Sequence, residues 1–154
     1  MLTVVVVEDN PGDVHLIREG LEASGREVSL SVFTDGTSAL QYLTGEEHLT
    51  SGASATNPET DLVLLDLNLP KTTGTDVLEQ LERGPARRPT RTCVLSGSES
   101  TEHVRETRET GADEYYVKPV DPHAYVTIVA EIVESVATNG PLPTGEFARL
   151  DGRS

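Results

Sequence analysis

The chain has 154 residues, and its 26 acidic against 12 basic side chains give a formal net charge of −14. Because a field of this sign repels polyanions, the composition argues against binding to nucleic acid or to an anionic membrane surface. A single cysteine, Cys93, and a start without a signal or membrane-spanning segment predict a protein of the reducing cytoplasm.

The negative charge is spread along the chain rather than collected in one run, which argues against an acidic partner-binding tail. The two lysines, Lys71 and Lys118, leave ten arginines among the 12 basic residues. We interpret this composition as adaptation to concentrated salt, where screening shortens the reach of self-repulsion. The expected source is therefore halophilic.

The first part of the chain alternates apolar strands with segments of helical periodicity. Asn10 and Pro11 supply an N-cap and a first helical position, and Gly25 ends that helix. The segment after the second helix is polar and rich in glycine, serine and threonine, which predicts a loop. In chain order we expect a strand, a helix, an edge strand, a short helix and this loop, at 2–8, 10–25, 27–33, 35–43 and 44–60.

The same alternation continues to the end of the last predicted helix. Val104 is the one large aliphatic residue of its helix, so we expect this helix to pack loosely. The final helix repeats apolar residues at helical spacing and should bury a stripe of Val126, Val129, Val133 and Val136. The predicted strands and helices alternate at 62–66, 74–84, 91–96, 98–111, 114–118 and 121–136.

Five strands separated by helices predict an α/β fold whose parallel sheet is covered by helices on both faces. The predicted domain covers residues 1–136. Residues 137–154 have turn residues and no period, and are expected to be a C-terminal tail without an output domain. In sheets of this class, ligands bind beyond the carboxyl ends of the strands.

Polar residues stand where four of the strands end. The first strand ends in Glu8 and Asp9, and the others in Asp66, Ser96 and Lys118. Taken singly, each has a plain structural interpretation: a helix cap, a turn former, a loop hydroxyl or a solvated lysine. Their meeting at one predicted edge makes those interpretations jointly improbable.

Three carboxylates at one edge need a cation, because two like charges about 4 Å apart repel by roughly 4 kcal/mol at an effective dielectric of 20. Oxygen ligands of this kind suit Mg²⁺ or Mn²⁺. The set of acids, hydroxyl and ammonium suits phosphoryl transfer, with Asp66 as nucleophile and Ser96 and Lys118 holding the phosphoryl oxygens.

These residues resemble the receiver domains of two-component response regulators. The segments VVVVEDNPGD, LVLLDLNLPKTTG, CVLSGS and GADEYYVKPV are similar to the family's acidic, phosphoacceptor, hydroxyl and lysine-proline motifs, over about residues 2–136. The details are most similar to stand-alone regulators that partner phytochrome-type histidine kinases. The resemblance implies a doubly wound (βα)5 flavodoxin-like fold with strand order 2-1-3-4-5.

The resemblance also implies the chemical roles of the acidic residues. Asp66 would be the phosphoacceptor, receiving a phosphoryl group from the phosphohistidine of a sensor histidine kinase. Glu8 and Asp9 would bind Mg²⁺ (or Mn²⁺), together with Asp66 and the main-chain carbonyl of Asn68. The protein would catalyse its own phosphorylation and dephosphorylation without being an enzyme in the ordinary sense.

The remaining motif residues would transmit the signal. Lys118 would pair with the phosphoryl group, and its bond to Pro119 is expected to be cis. Ser96 would move on phosphorylation, and Tyr115 would swing inward. Strand alternation points Tyr116 to the other face of the sheet, which makes it the poorer candidate for the switch.

The leading hypothesis is a single-domain response regulator that switches a protein-interaction surface. Its expected partners are a sensor histidine kinase and a downstream effector or phosphotransfer protein, and it would be a monomer or a weak dimer through the 98–136 face. One alternative is a degenerate receiver that binds proteins without being phosphorylated. A weaker alternative is an Mg²⁺-dependent phosphatase that forms an aspartyl phosphate, for which Asn68 stands where a general acid is needed.

Overall fold

The computed structural model describes residues 1–44, 60–69, 73–83 and 90–152. Apart from its two ends, the predicted loop at 44–60 lies outside these residues. No helix in the described ranges combines the length and the apolar character needed to cross a membrane. The elements are, in chain order, β1 Leu2–Val7, α1 Pro11–Ala23, β2 Val28–Phe33, α2 Gly36–Thr44, β3 Leu62–Leu65, α3 Gly74–Arg83, β4 Arg91–Ser96, α4 Thr101–Thr110, β5 Glu114–Val117, α5 Pro122–Ala137 and α6 Phe147–Leu150.

Every predicted strand and helix is present, and the largest difference in bounds is the start of α4. The prediction began this helix at residue 98, whereas it begins at Thr101. The reason is local, because the Ser100 side chain accepts a hydrogen bond from the His103 N–H and so acts as the N-cap. Ser98 and Glu99 therefore belong to the loop that follows β4.

The sheet is parallel, and its strand order is β2-β1-β3-β4-β5, which confirms the predicted class and order. β1 lies between β2 and β3, so the chain reverses the direction in which it adds strands after β2. That reversal opens a crevice at the carboxyl ends of β1 and β3, which is where ligands bind in open α/β sheets.

Side chains of successive strand residues point to opposite faces of the sheet, which explains the uninterrupted apolar runs of β1 and β3. One face packs under α2, α3 and α4, through a buried cluster that includes Val5, Val7, Val63, Leu65, Val94, Ala39, Val77, Val104 and Tyr115. The other face packs under α1 and α5, through Val4, Val6, Leu62, Leu64, Cys93, Leu95, Tyr116, Ile17, Leu21, Tyr125 and Val129.

The buried stripe of α5 differs in part from the prediction. Val129 and Val133 are fully buried as expected, whereas Val126 and Val136 are only half-buried. Tyr125 and Ile132 are fully buried instead. The predicted stripe runs through the valines with Ile128 and Ile132 flanking it, whereas the face that meets α1 and the sheet starts one residue earlier than Val126, at Tyr125.

The C-terminal segment, residues 140–152, packs against β5 and α4. Phe147 is buried in the same cluster as Tyr115, and the Glu146 N–H donates to the Tyr115 carbonyl oxygen at 2.8 Å. The Glu114 carboxylate accepts hydrogen bonds from the Gly145 and Phe147 N–H groups, at 3.2 and 3.0 Å. This segment therefore covers part of the 98–136 face, the face that was expected to form a weak dimer.

Candidate functional site

The sheet register brings the predicted acidic residues together. Val7 pairs with Leu65, so the residues that follow them, Glu8 and Asp66, leave the sheet side by side. The Asp66 N–H continues the ladder by donating to the Val7 carbonyl oxygen at 3.0 Å. Both side chains are buried, and two rigid central strands therefore fix their separation.

Three carboxylates form the acidic cluster, which consists of Glu8, Asp9 and Asp66. One oxygen from each lies within 4.8 Å of the others, with Glu8 and Asp66 buried and Asp9 exposed. Carboxylate oxygens converging from two strand ends fit a hard divalent cation such as Mg²⁺. The exposed side of Asp9 leaves the cluster open to solvent, which gives a metal ion and its waters access.

Lys118 supplies the positive charge of the site. Its Nζ donates to Glu8 Oε1 at 2.8 Å, to Asp13 Oδ2 at 2.9 Å and, more weakly, to Asp66 Oδ2 at 3.4 Å. The Lys118 N–H donates to the Ser96 carbonyl oxygen at 2.7 Å, so the end of β5 is tied to the end of β4. The three N–H groups of the ammonium thus donate hydrogen bonds to three carboxylates.

The electrostatics of this cluster depend on burial. Burial raises the pKa of Glu8 to about 7, and the neighbouring Asp66 adds to this effect although Lys118 opposes it. Burial alone would lower the pKa of Lys118, but its bonds to Glu8 and Asp13 outweigh burial and raise that pKa above the ordinary value. Lys118 is therefore charged throughout the physiological range, whereas Glu8 changes charge near neutrality.

In metal-free buffer we expect the raised pKa of Glu8 to make folding less favourable as the pH rises. The folded carboxyl group holds its proton up to about pH 7, whereas the ordinary pKa is 4.5. The stabilisation is therefore complete below the unfolded pKa and is lost as pH rises through about 7, by about 3 kcal/mol from this group. Urea unfolding at a series of pH values in chelator measures it.

The matched control is Glu8→Gln, which keeps the shape of the side chain and cannot titrate. The wild-type free energy of unfolding should fall relative to that of the variant between about pH 5 and pH 8. Saturating Mg²⁺ should remove the fall, because the metal takes the place of the proton. Parallel pH curves for the two proteins in chelator would contradict this prediction.

Ser96 and Tyr115, the two residues predicted to act as a switch, both make hydrogen bonds to Ser98. Ser96 is buried, and its Oγ accepts a hydrogen bond from the Ser98 N–H at 3.2 Å. Tyr115 is fully buried and its hydroxyl donates to the Ser98 carbonyl oxygen at 2.7 Å. Ser98 thus joins the two side chains. Tyr116 points to the opposite face, as predicted, and donates to the Pro143 carbonyl oxygen.

One expectation about the backbone is wrong. The described residues contain no cis peptide bond, so the bond between Lys118 and Pro119 is trans. The trans isomer is the intrinsically favoured one even before proline, and with it the Lys118 N–H and Nζ already make their bonds to Ser96 and Glu8. Asn68 is exposed and its N–H donates to Asp66 Oδ1 at 3.1 Å, while the ligand role of its carbonyl stays a prediction.

Two further residues belong to this site although their place in the sequence did not suggest it. Asp13 binds Lys118 directly, yet in the sequence it is the ordinary acidic residue of a first helical turn. Tyr125 of α5 is buried against α1, the helix that carries Asp13, and its hydroxyl has no hydrogen-bond partner among the described residues. The one feature of the sequence that could have indicated this role is that Asp13 is an acidic residue only four positions after Asp9.

Comparison with known sequences gives a consistent result. The family model for the response regulator receiver domain matches residues 4–130. A probable methanogenesis regulatory protein, FilR2, from Methanothrix harundinacea is 33% identical over 131 residues, which cover 85% of this chain and 81% of the relative. Response regulator Rcp1 from Synechocystis sp. is 30% identical over 115 residues, 75% of each chain.

Solved structures give the same picture. The crystal structure of the Mn²⁺-bound form of Rcp1 superposes with a TM-score of 0.78 and 27% identity, covering 94% of this chain and 100% of that one. The crystal structure of the phosphorylated cyanobacterial phytochrome response regulator RcpA superposes with a TM-score of 0.79 and 30% identity, covering 93% and 99%. Both similarities extend over nearly the whole chain.

Proposed function

The chain belongs to the family of response regulator receiver domains of two-component signalling, and on that premise we propose that Asp66 accepts a phosphoryl group from the phosphohistidine of a sensor histidine kinase. The observation that carries the proposal is the placement of Asp66. It is buried at the end of a central strand, one residue after β3, within reach of both the Lys118 ammonium and the acidic cluster.

In the proposed reaction an Asp66 carboxylate oxygen attacks the phosphorus, the new P–O bond forms and the P–N bond to the kinase imidazole breaks. The residues that would hold Mg²⁺ are Glu8, Asp9 and Asp66. The ion, when bound, neutralises charge on the phosphoryl oxygens. Lys118 shifts its ammonium onto one of these oxygens, and the Ser96 hydroxyl donates to another. The chain thus catalyses its own phosphorylation and, by admitting water, its own dephosphorylation.

The proposed partners follow from the relatives. The similarity to the cyanobacterial phytochrome response regulator RcpA supports a kinase of the phytochrome type as the phosphoryl donor. The output would be a change at Ser98 and at the buried Tyr115, which packs beneath α4 and the C-terminal segment and could alter the surface that they form. A downstream effector or phosphotransfer protein of the cytoplasm would bind to that surface.

The test is intact-protein mass spectrometry after incubation with acetyl phosphate and Mg²⁺ in high salt. Wild-type protein should gain one phosphoryl group, and Asp66→Asn, which keeps the side-chain shape, should gain none. Glu22→Gln removes the same charge from the exposed surface of α1 and should behave as wild type. Chelator should abolish the gain in wild type.

Two results would overturn the proposal. A phosphoryl group on Asp66→Asn would place the acceptor elsewhere. If neither acetyl phosphate nor a histidine kinase of the phytochrome type phosphorylates wild-type protein, and beryllofluoride leaves its amide NMR spectrum unchanged, the chain is a protein-binding module that works without phosphorylation.

A further inference from the structure

Asp13 holds Lys118 more closely than the phosphoacceptor does. The Lys118 Nζ lies 2.9 Å from Asp13 Oδ2 and 3.4 Å from Asp66 Oδ2. Asp13 is itself fixed by the start of α1, because its N–H donates to Asn10 Oδ1 at 3.1 Å and Pro11 begins the helix. The Asp13 side chain is only 21% exposed, so water screens its bond to the ammonium incompletely.

Tyr125 carries an unused donor on α5, the helix that packs against α1 and so against the element that carries Asp13. Its side chain is 1% exposed, and its hydroxyl has no hydrogen-bond partner among the residues that the structure describes. Burial raises the pKa of this phenol, and the Asp13 carboxylate raises it further. A buried hydroxyl without a partner is unfavourable and indicates a second arrangement in which it is satisfied.

We propose that Asp13 is a positioning residue that holds the Lys118 ammonium away from Asp66 in the unphosphorylated protein, and that the Tyr125 hydroxyl becomes the partner of Asp13 when Lys118 moves to the phosphoryl group. This inference rests on the proposed function and adds a regulatory exchange to it. Asp13 and Tyr125 lie outside the acidic cluster and act through Lys118.

The exchange follows from counting donors and acceptors. The ammonium has three N–H donors, and all three are directed at carboxylates in this structure. A phosphoryl group on Asp66 adds acceptor oxygens, so Lys118 must give up a bond to reach them. Giving up Asp13 leaves a partly buried carboxylate, and the Tyr125 hydroxyl is the donor at hand to satisfy it.

The first test observes Lys118 directly. The chain contains two lysines, so labelling of lysine side-chain nitrogen gives two ammonium NMR signals, which Lys118→Met assigns. At fixed pH, Asp13→Asn should shift or exchange-broaden the Lys118 signal. Glu22→Gln, the same charge change on the exposed face of α1, should leave it in place, and Asp13→Glu should restore it in part. An unmoved Lys118 signal in Asp13→Asn overturns the assignment.

The second test uses beryllofluoride with Mg²⁺ as the phosphoryl analogue, followed by fluorine NMR. Asp13→Asn should bind it roughly threefold to tenfold more tightly, because Lys118 is released. Tyr125→Phe keeps the ring and loses the donor, and should bind it more weakly by a similar factor. The double variant should match Asp13→Asn, because the hydroxyl then has no carboxylate to satisfy.

The third test separates the exchange from simple damage to the core. Without beryllofluoride, Tyr125→Phe should raise Tm by about 2–4 °C, because it removes a buried hydroxyl that has no partner. A lowered Tm, or weaker binding in both single variants, overturns the exchange. If wild type binds no beryllofluoride and takes up no phosphoryl group, the proposed function and the exchange fail together, while the Lys118 signal still decides whether Asp13 positions the ammonium.

Discussion

Replacing Lys118 with methionine is expected to slow phosphorylation of Asp66 by about two to three orders of magnitude, because it removes the positioned donor nearest to the phosphoryl oxygens. Methionine keeps most of the apolar stem and loses only the ammonium. The two buried carboxylates, Glu8 and Asp66, then face each other without a cation, so the free energy of unfolding should also fall, by about 3 kcal/mol at pH 8. The rate of phosphoryl incorporation and urea unfolding measure the two effects.

The control for Lys118→Met is Arg26→Met, which removes one positive charge from an exposed ion pair with Glu134. This change should leave phosphorylation intact and alter stability only slightly, since exposed ion pairs contribute little. The stability loss of Lys118→Met should shrink near pH 6, where Glu8 takes up a proton. A loss that is independent of pH, or phosphorylation at the wild-type rate, would contradict the role of this ammonium.

Replacing Gly74 with alanine is expected to destabilise the protein by about 3 kcal/mol and to disturb the backbone at Asp66 at the same time. A Cβ at this position would lie 2.3 Å from the Asp66 carbonyl oxygen and 2.5 Å from Leu67 Cα. Both are backbone atoms, so no side chain can turn away to relieve the contact. The Gly74 N–H also donates to the Leu67 carbonyl oxygen at 3.0 Å, which ties the start of α3 to the backbone just after β3.

Gly97→Ala is the control for a glycine-to-alanine change, because Gly97 directly follows β4 and a Cβ there meets no atom within 4 Å. This variant should fold with wild-type stability or slightly more, since alanine restricts the unfolded chain. Thermal unfolding and phosphoryl incorporation, measured on both variants, test the contrast. Equal stability of the two alanine variants would show that the backbone at Asp66 moves aside without penalty.

Burial of Glu8 and its bond to the Lys118 ammonium act in opposite directions on the stability of the ionised site. Burial makes Glu8 reluctant to ionise, and the Lys118 ammonium compensates for only part of that penalty. A receiver built in this way is less stable without metal at high pH than its core alone would allow. If the acidic cluster holds Mg²⁺ as proposed, binding of the ion should stabilise the folded state as well as support the proposed chemistry.

The sequence by itself was sufficient for the order of the elements and for the central site residues. Each of three residues, Glu8, Asp66 and Lys118, follows a strand that the apolar sequence pattern predicts. Because parallel strands place their carboxyl ends at one edge of the sheet, these residues were expected to lie close together. The opposite directions of Tyr115 and Tyr116 follow from the period of a strand in the same way. These features depend on local pattern and on a general rule of topology.

The tertiary structure alone decided what depends on contacts between distant segments. Asp13 joins the site because α1 lies beside the end of β5, 105 residues further on. Tyr125 is buried beside α1 because the packed face of α5 begins at this aromatic residue and continues through Val129 and Val133. Phe147 packs in the same cluster as Tyr115 because its N–H donates a hydrogen bond to Glu114. No periodicity in the sequence predicts such a contact. The local sequence pattern predicts the strands and helices, whereas the packing of these elements decides which side chains contact each other.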